Sequence, residues 1–200
     1  LRNYSIFVKE IDGRPVLFSF LEHRGRDFDA DCARMAADPD TQRWWRETDP
    51  CQEPLPRAAA RKQIWDDMEE VFFDAGAAAA KPGTVRRMAA VTGLKPEKEE
   101  LYRTLHATTW PGVLKQNRES NFRNFSIFLK DIGGKLYLFY YLEYVGADLD
   151  ADMKAMAENP VVQRWWKLTD DCQIPLPDAP VDASGKKGPW APMEEIFHAD

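Results

Sequence analysis

The sequence predicts an α+β fold of the ferredoxin-like class, with elements in the order β-α-β-β-α-β. The first observation is a pair of strand-like runs, 123–131 and 135–144, around Gly133-Gly134, which is typical of a β-hairpin. The second is a helical pattern of apolar residues over 96–118. The third is that much of this pattern occurs twice in the chain, so the class is predicted for two tandem copies.

The chain contains a long internal repeat. Residues 3–56 match residues 124–177 without a gap at an offset of 121, and about 30 of those 54 positions are identical. A later match, Met68-Glu69-Glu70 with Met193-Glu194-Glu195, has an offset of 125. A period of this length is that of a small domain rather than of a solenoid unit, which indicates tandem duplication.

The second copy supplies the full set of elements. Pro96 suits the first turn of its long helix, whereas Pro111 should interrupt that helix. The predicted elements are a strand over 84–93, a helix over 96–118, strands over 123–131 and 135–144, a helix over 147–158, a helical turn or two over 161–168, a proline-rich loop over 172–190 and a strand over 193–198. The first copy reads β-β-α-β over 3–73.

These matches divide the chain into a partial repeat at 1–76, a linker at 77–83 and a complete repeat at 84–200. The first repeat lacks a counterpart of 84–121. We expect that an equivalent strand and helix, carrying a second Tyr and His, are encoded upstream of Leu1 or have been lost. The duplication allows the two sheets to pair either within one chain, as a pseudo-dimer, or between two chains in a homodimer.

Composition excludes several classes of function. Lys and Arg number 27 against 33 Asp and Glu, which gives a net charge of −6 and argues against a nucleic-acid or membrane surface partner. No stretch approaches 18 apolar residues. Three Cys without a CxxC pair and three His argue against a metal site of these residues. No signal-like start is present, so a cytoplasmic protein without a metal or cofactor is expected.

Tyr102, His106 and Trp110 lie four residues apart and would share one face of the predicted helix. Histidine is the common acid/base catalyst near neutral pH, so this face could form the wall of a polar pocket. The alternative is that Tyr102 and Trp110 only pack and His106 is a surface residue. Spacing alone favours that alternative.

The tandem tryptophans Trp165 and Trp166, and their first-copy counterparts Trp44 and Trp45, form a second candidate site. Adjacent helical residues point about 100° apart, so both side chains rarely enter one core. One of each pair could stack on the apolar face of a sugar. It could equally pack against the following loop.

The Asp-rich segments 27–31 and 148–152 suggest helix N-termini, where carboxylates are favoured. They lack the glycine and the closing glutamate of an EF-hand loop. A metal is therefore not predicted there.

At these residues the chain resembles the L-rhamnose mutarotase family. The motifs are Glu100-Leu101-Tyr102 with His106 and Trp110-Pro111, then Asn124-Phe125-Ser126-Ile127, Arg164-Trp165-Trp166 and Met193-Glu194-Glu195-Ile196-Phe197. Their order fits over about 84–198, and 3–73 resembles the family from its second strand onward. The resemblance implies a dimeric α+β barrel, no metal or cofactor, and interconversion of the α and β anomers of L-rhamnose or a related 6-deoxy sugar.

The resemblance also implies roles for individual residues. His106 corresponds to the proton donor, and the sugar-contacting positions are Tyr102, Trp110, Phe125, Trp165 and Trp166 in the second copy and Tyr4, Trp44 and Trp45 in the first. The family has tyrosine where this chain has Phe125, whereas the first copy keeps Tyr4. The missing hydroxyl could remove one hydrogen bond or indicate another sugar, such as L-fucose.

Two alternatives remain open at this point. One is a non-catalytic carbohydrate-binding or interaction protein of the same fold. The other is a different small ferredoxin-like enzyme, such as a monooxygenase.

Overall fold

A computed structural model describes residues 1–78, 85–182 and 185–200. The first part of the chain forms two strands, three helices and a third strand. These are β1 (Arg2–Ile11), β2 (Arg14–Glu22), α1 (Phe28–Ala37), α2 (Pro39–Thr48), α3 (Pro56–Ala60) and β3 (Glu69–Gly76). Most of the predicted linker, 79–83, falls outside the described residues.

The second part repeats this pattern behind an additional strand and two helices. Its elements are β4 (Arg86–Leu94), α4 (Glu99–Ala107), α5 (Pro111–Glu119), β5 (Phe122–Ile132), β6 (Lys135–Tyr144), α6 (Leu149–Glu158), α7 (Pro160–Asp170), β7 (Gln173–Ile174), β8 (Ala191–Pro192) and β9 (Glu194–Ala199). The predicted α+β class and order of elements are confirmed.

Local sequence explains where these elements begin and turn. Gly133 and Gly134 have φ of 64° and 81°, the left-handed backbone of a tight hairpin turn. Pro111 divides the predicted long helix, because it stands at the start of α5 rather than inside one helix. The carboxylates of Asp27 and Asp148 accept from the backbone N–H of Ala30 and Ala151 and cap α1 and α6, as the Asp-rich segments indicated.

Three boundaries differ from the sequence prediction. The helical turns predicted over 161–168 form a full helix, α7, since Asn159 caps its start and Pro160 occupies its first turn. The predicted loop over 172–190 contains a short strand, β7, and is followed directly by another, β8, and both add to β4. No helix in the described part of the chain is long and apolar enough to cross a membrane.

The larger sheet combines strands from both repeats. Its order is β3-β5-β6-β4-β7, with β8 also paired to β4. β3 belongs to the first repeat, yet it pairs antiparallel with β5 from Glu69↔Leu129 to Gly76↔Arg123. The smaller sheet has the order β2-β1-β9, so the last strand of the second repeat lies beside β1. Each repeat therefore places its final strand in the sheet of the other.

The contacts divide the chain into two compact units that differ from the repeats. Unit 1 consists of Leu1–Ile6, Ser19–Met68 and Phe197–Asp200. Unit 2 consists of Phe7–Phe18 and Glu69–Ile196. The division 1–76, 77–83 and 84–200 is a description of the duplication and stays a prediction.

The helices of the two repeats differ in how deeply they are buried. In unit 2, α6 and α7 pack against α5 and bury Met156, Val162, Trp165 and Thr169. In unit 1, their counterparts α1 and α2 bury no residue. Because no described helix of unit 1 corresponds to α4 or α5, the apolar face of α1 and α2 stays open, with Phe28 and Trp44 46% and 38% exposed.

The end of β3 is fixed by a close approach to β5 and by Asp74. The carboxylate of Asp74 accepts from the side-chain amide of Asn117 on α5 at 3.1 Å, and from the backbone N–H of Gly76 at 3.0 Å. Gly76 has φ of 68°, and a Cβ added there would lie 2.2 Å from the carbonyl oxygen of Phe122. Only glycine fits this contact.

We expect Gly76→Ala to destabilise unit 2 much more than Gly13→Ala. Both glycines have positive φ, but a Cβ on Gly13 meets nothing within 4 Å. Backbone strain alone costs about 1–2 kcal/mol in each variant, and overpacking adds about 1–3 kcal/mol for Gly76→Ala alone. Urea unfolding of both variants measures the difference. Equal losses would show that β3 does not pack closely on β5.

Candidate active site

His106 lies in the last turn of α4 and is only 9% exposed. Glu99 and Glu100 favour the start of this helix, because their charges lie at its positive end. The interpretation of His106 as a surface residue is therefore wrong. Its burial follows from β3, which adds Phe72 over the imidazole, and from α7, which adds Trp165.

The hydrogen bond of the imidazole defines its tautomer. Nδ1 of His106 lies 3.0 Å from the backbone carbonyl oxygen of Tyr102. A carbonyl only accepts, so Nδ1 carries the hydrogen and donates it. In the neutral ring Nε2 then holds the free lone pair, which is the form required of a general base.

Burial keeps this histidine neutral. Loss of solvent around the ring lowers the pKa of His106 to about 4, and the hydrogen bond to the Tyr102 carbonyl opposes this shift. At neutral pH the imidazole can accept a proton and is not already charged. Burial thus leaves the ring free to accept a proton, and it also makes the imidazole a weaker base than one in open solvent.

Tyr102 lies directly beside the histidine. Its ring centroid is 4.1 Å from that of His106, with 30° between the ring planes, and its side chain is 1% exposed. Burial raises the pKa of the Tyr102 phenol, the Cys172 thiol raises it further, and a hydrogen bond with Gln173 opposes both. The phenol therefore keeps its proton at neutral pH.

The tandem tryptophans occupy two different environments. Trp165 is 5% exposed and meets His106 and Trp110 edge-on, with ring centroids 5.4 and 5.5 Å away. Trp166 is half-buried and packs against the cluster that contains Phe122 and Met156. Trp110 belongs to the cap of α5 rather than to α4, so it reaches the site through Trp165 and not along one helix face.

Phe125 is directed by an irregularity in β5. Asn124 has φ of 51°, and the register against β6 shifts between Arg123 and Ser126. The side-chain amide of Asn124 donates to the Glu143 carboxylate at 3.1 Å, which holds this bulge in place. A bulge re-aims the next side chain, and here that side chain is Phe125.

The ring of Phe125 contacts two aromatic residues. It meets Phe72 at 5.3 Å and Tyr140 at 5.7 Å between centroids. Each repeat has a tyrosine at only one of two matched positions. Tyr4 matches Phe125, and Ser19 matches Tyr140. The phenol absent at position 125 is thus present on the neighbouring strand. Tyr140 is not among the residues predicted from the sequence, although its match with Ser19 at the offset of 121 contains this signal.

Phe72 was also missed, and no motif in its own repeat indicates a role. It lies on β3 and contacts both His106 and Phe125 edge-on. A pocket of about 440 Å³ opens beside it and reaches the histidine. The pocket is lined by Glu70, Val71, Phe72, Phe73, His106, Ala107, Thr108, Thr109 and Leu114.

The candidate residues of the first repeat lie in unit 1. Tyr4 and Trp44 both pack against Phe197, at 5.4 and 5.6 Å between ring centroids. Trp45 is half-buried. The described part of unit 1 holds no helix equivalent to α4, so these aromatic residues have no counterpart of His106 beside them.

The other two histidines make different contacts. Nε2 of His23 lies 2.8 Å from the Asp31 carboxylate, in the place where Tyr144 bonds Asp152 in the second repeat. Nδ1 of His198 lies 2.9 Å from the hydroxyl of Ser5, which is fully buried. Neither histidine combines a buried ring with an open pocket as His106 does.

The fold and site together define a ferredoxin-like α+β protein with a buried, neutral histidine enclosed by aromatic rings. Such a site suits proton transfer on a small molecule that has apolar faces. The profile of the L-rhamnose mutarotase family matches residues 1–73 and 87–199. The chain therefore belongs to the L-rhamnose mutarotase family, and the double match agrees with a tandem duplication.

Individual relatives carry the same name. The chain is 32% identical over 118 residues to the L-rhamnose mutarotase of Phocaeicola vulgatus, which covers 58% of this chain and all of the relative. It is 28% identical over 115 residues to that of Pectobacterium carotovorum, covering 57% and 98%. The crystal structure of L-rhamnose mutarotase FA22100 from Formosa agariphila superposes with a TM-score of 0.41 at 22% identity, covering 57% and 99%.

The lowered pKa of His106 predicts a specific dependence of stability on pH. The unfolded histidine binds a proton near pH 6.5, whereas the folded one binds it only near pH 4. The free energy of unfolding should therefore decrease as the pH falls from 6.5 towards 4, and this loss is absent above pH 6.5. Between pH 7 and pH 5, the free energy of unfolding should decrease by about 1–2 kcal/mol less in His106→Asn than in the wild-type protein. Urea unfolding at several pH values measures it. Parallel curves for both proteins would contradict the burial of a neutral ring.

Proposed function

We propose that this protein is a sugar mutarotase that interconverts the α and β anomers of L-rhamnose or a related 6-deoxy sugar. The observation that carries the proposal is the buried, neutral His106, whose Nδ1 is occupied and whose Nε2 is free to accept a proton. Membership of the family supports the same reaction. The interpretation as a binding protein without catalysis does not account for a histidine prepared in this way.

The reaction needs proton transfer and bond rotation alone. Nε2 of His106 accepts the proton of the anomeric hydroxyl as the bond between C1 and the ring oxygen breaks. The bonding electron pair goes to the ring oxygen, which receives a proton from the imidazolium, and C1 becomes an aldehyde. After rotation about the C1–C2 bond, the same steps in reverse close the ring on the other face, so no atom is gained or lost.

The remaining side chains position the sugar and protect the base. Phe72, Phe125 and Trp165 present ring surfaces around the histidine, and such surfaces stack on the C–H faces of sugars. Tyr102 holds His106 through its carbonyl and keeps a protonated phenol beside it. Trp110 packs against Trp165, and Trp166 packs against the cluster that contains Phe122 and Met156.

We also propose that 84–200 forms a catalytic repeat and that the protein acts in the cytoplasm. The first repeat, 1–76, assists by supplying β3 with Phe72. In unit 1, Tyr4 and Trp44 pack on Phe197 and, with the half-buried Trp45, are the matching aromatic residues of the first repeat. Tyr140 brings a phenol beside Phe125, the position where the family carries a tyrosine. Exchange rates measured on L-rhamnose and on L-fucose determine which sugar is preferred.

We expect His106→Asn to slow anomer exchange about 100-fold or more, the usual contribution of one general acid/base. Saturation-transfer NMR of L-rhamnose and L-fucose measures the exchange rate. His23→Asn is the matched control, because that histidine lies in unit 1 and should leave the rate unchanged. An unaltered rate in the His106 variant would rule out its role as the base.

The pH profile gives a second test. Since the base is active when neutral and its pKa is about 4, kcat/KM should be flat between pH 5 and 8 and should fall below about pH 4.5. A histidine in open solvent would instead give an inflection near pH 6.5. Exchange rates measured between pH 4 and 8 distinguish the two. An inflection between 6 and 7 would contradict the assigned environment of His106.

A further inference from the structure

Gln173 presents a buried polar atom that the protein itself does not satisfy. This residue begins β7, pairs with Leu94 of β4 and is 4% exposed. Its Oε1 has no hydrogen-bond partner, and over residues 1–78, 85–182 and 185–200 it is the one buried side-chain polar atom in this condition. A buried acceptor without a donor destabilises the folded state and therefore requires an explanation.

The position of the amide suggests that explanation. One side of the Gln173 amide hydrogen-bonds to the Tyr102 phenol, and the ring of Tyr102 lies against His106 at 4.1 Å. The bond to Tyr102 fixes the plane of the amide. Tyr102 thus contacts both residues, since its phenol meets the Gln173 amide and its ring lies against the proposed base.

In the first repeat, the glutamine that matches Gln173 makes a hydrogen bond to the backbone of its own repeat. Gln52 occupies the matching position at the offset of 121, and its Nε2 donates to the backbone carbonyl of Thr48 at 3.3 Å. Gln52 is half-buried and lies where no α4 is present. The deep burial of the amide and its free oxygen belong to the repeat that contains His106.

We propose that Oε1 of Gln173 accepts a hydrogen bond from one hydroxyl of the bound sugar. The proposal rests on the proposed function and adds a binding residue to it. An amide oxygen only accepts, so its partner must be a donor, and in a sugar every donor is a hydroxyl. Gln173 thereby selects a hydroxyl at one ring position, and its role is in binding rather than in proton transfer.

The test compares the wild-type protein with Gln173→Met, which keeps the side-chain length and removes both polar atoms. Gln52→Met is the matched control in the first repeat. Anomer exchange is measured by NMR on L-rhamnose and on analogues that each lack one hydroxyl. We expect Gln173→Met to raise KM about tenfold with kcat changed less than about threefold, the loss of one hydrogen bond to a ligand. Gln52→Met should change neither.

The analogues identify the hydrogen bond itself. In the wild-type protein, removal of the hydroxyl that bonds Gln173 should raise KM, and in Gln173→Met the same removal should have no further effect. Gln173→Leu serves as a second variant should the Met variant not fold. The melting temperature of each variant is recorded, because both variants also remove the amide group that hydrogen-bonds to the buried Tyr102 phenol.

Each result has a defined meaning. A raised melting temperature with unchanged KM and unchanged analogue penalties would show that the oxygen is merely a defect of the core, and would overturn the proposal while leaving the mutarotase function intact. If the wild-type protein accelerates exchange of no sugar, the proposed function is wrong and this assignment is wrong with it.

Discussion

The pairing of β3 with β5 is the interaction on which the site depends. It completes the edge of the larger sheet, and it carries Phe72 to the imidazole of His106. The approach is so close that a glycine must stand at position 76, and Asp74 fixes the end of the strand to α5. Without this strand, the histidine would lose the ring that covers it on one side and the pocket would lose most of one wall.

Enclosure then determines the chemistry of the histidine. A ring on an open helix would titrate near pH 6.5 and would be partly charged under ordinary conditions. Burial beneath Phe72 and Trp165 lowers its pKa, and the Tyr102 carbonyl selects the tautomer in which Nε2 carries the free lone pair. The same burial destabilises the protein in acid. Burial of a neutral imidazole therefore lowers the stability of the folded protein at low pH.

The sequence predicted the class of fold, the duplication and the histidine, since these depend on local pattern and on repetition. It could not predict that β3 joins the sheet of the second repeat, because strand partners are chosen by tertiary packing and not by neighbours in sequence. For that reason Phe72 was missed. The burial of His106 was missed as well, because helical spacing places it on a face without showing what covers that face. Gln173 has no motif, and only its unsatisfied oxygen reveals it.

The exchange of final strands has a consequence for how the duplicated gene can diverge. After most duplications one copy is released from selection and accumulates changes freely. Here the segment Glu69–Gly76 lies in the first copy but serves the sheet and the pocket of the second. Mutations in it therefore also affect the sheet and the pocket of the second repeat, although the segment belongs to the first.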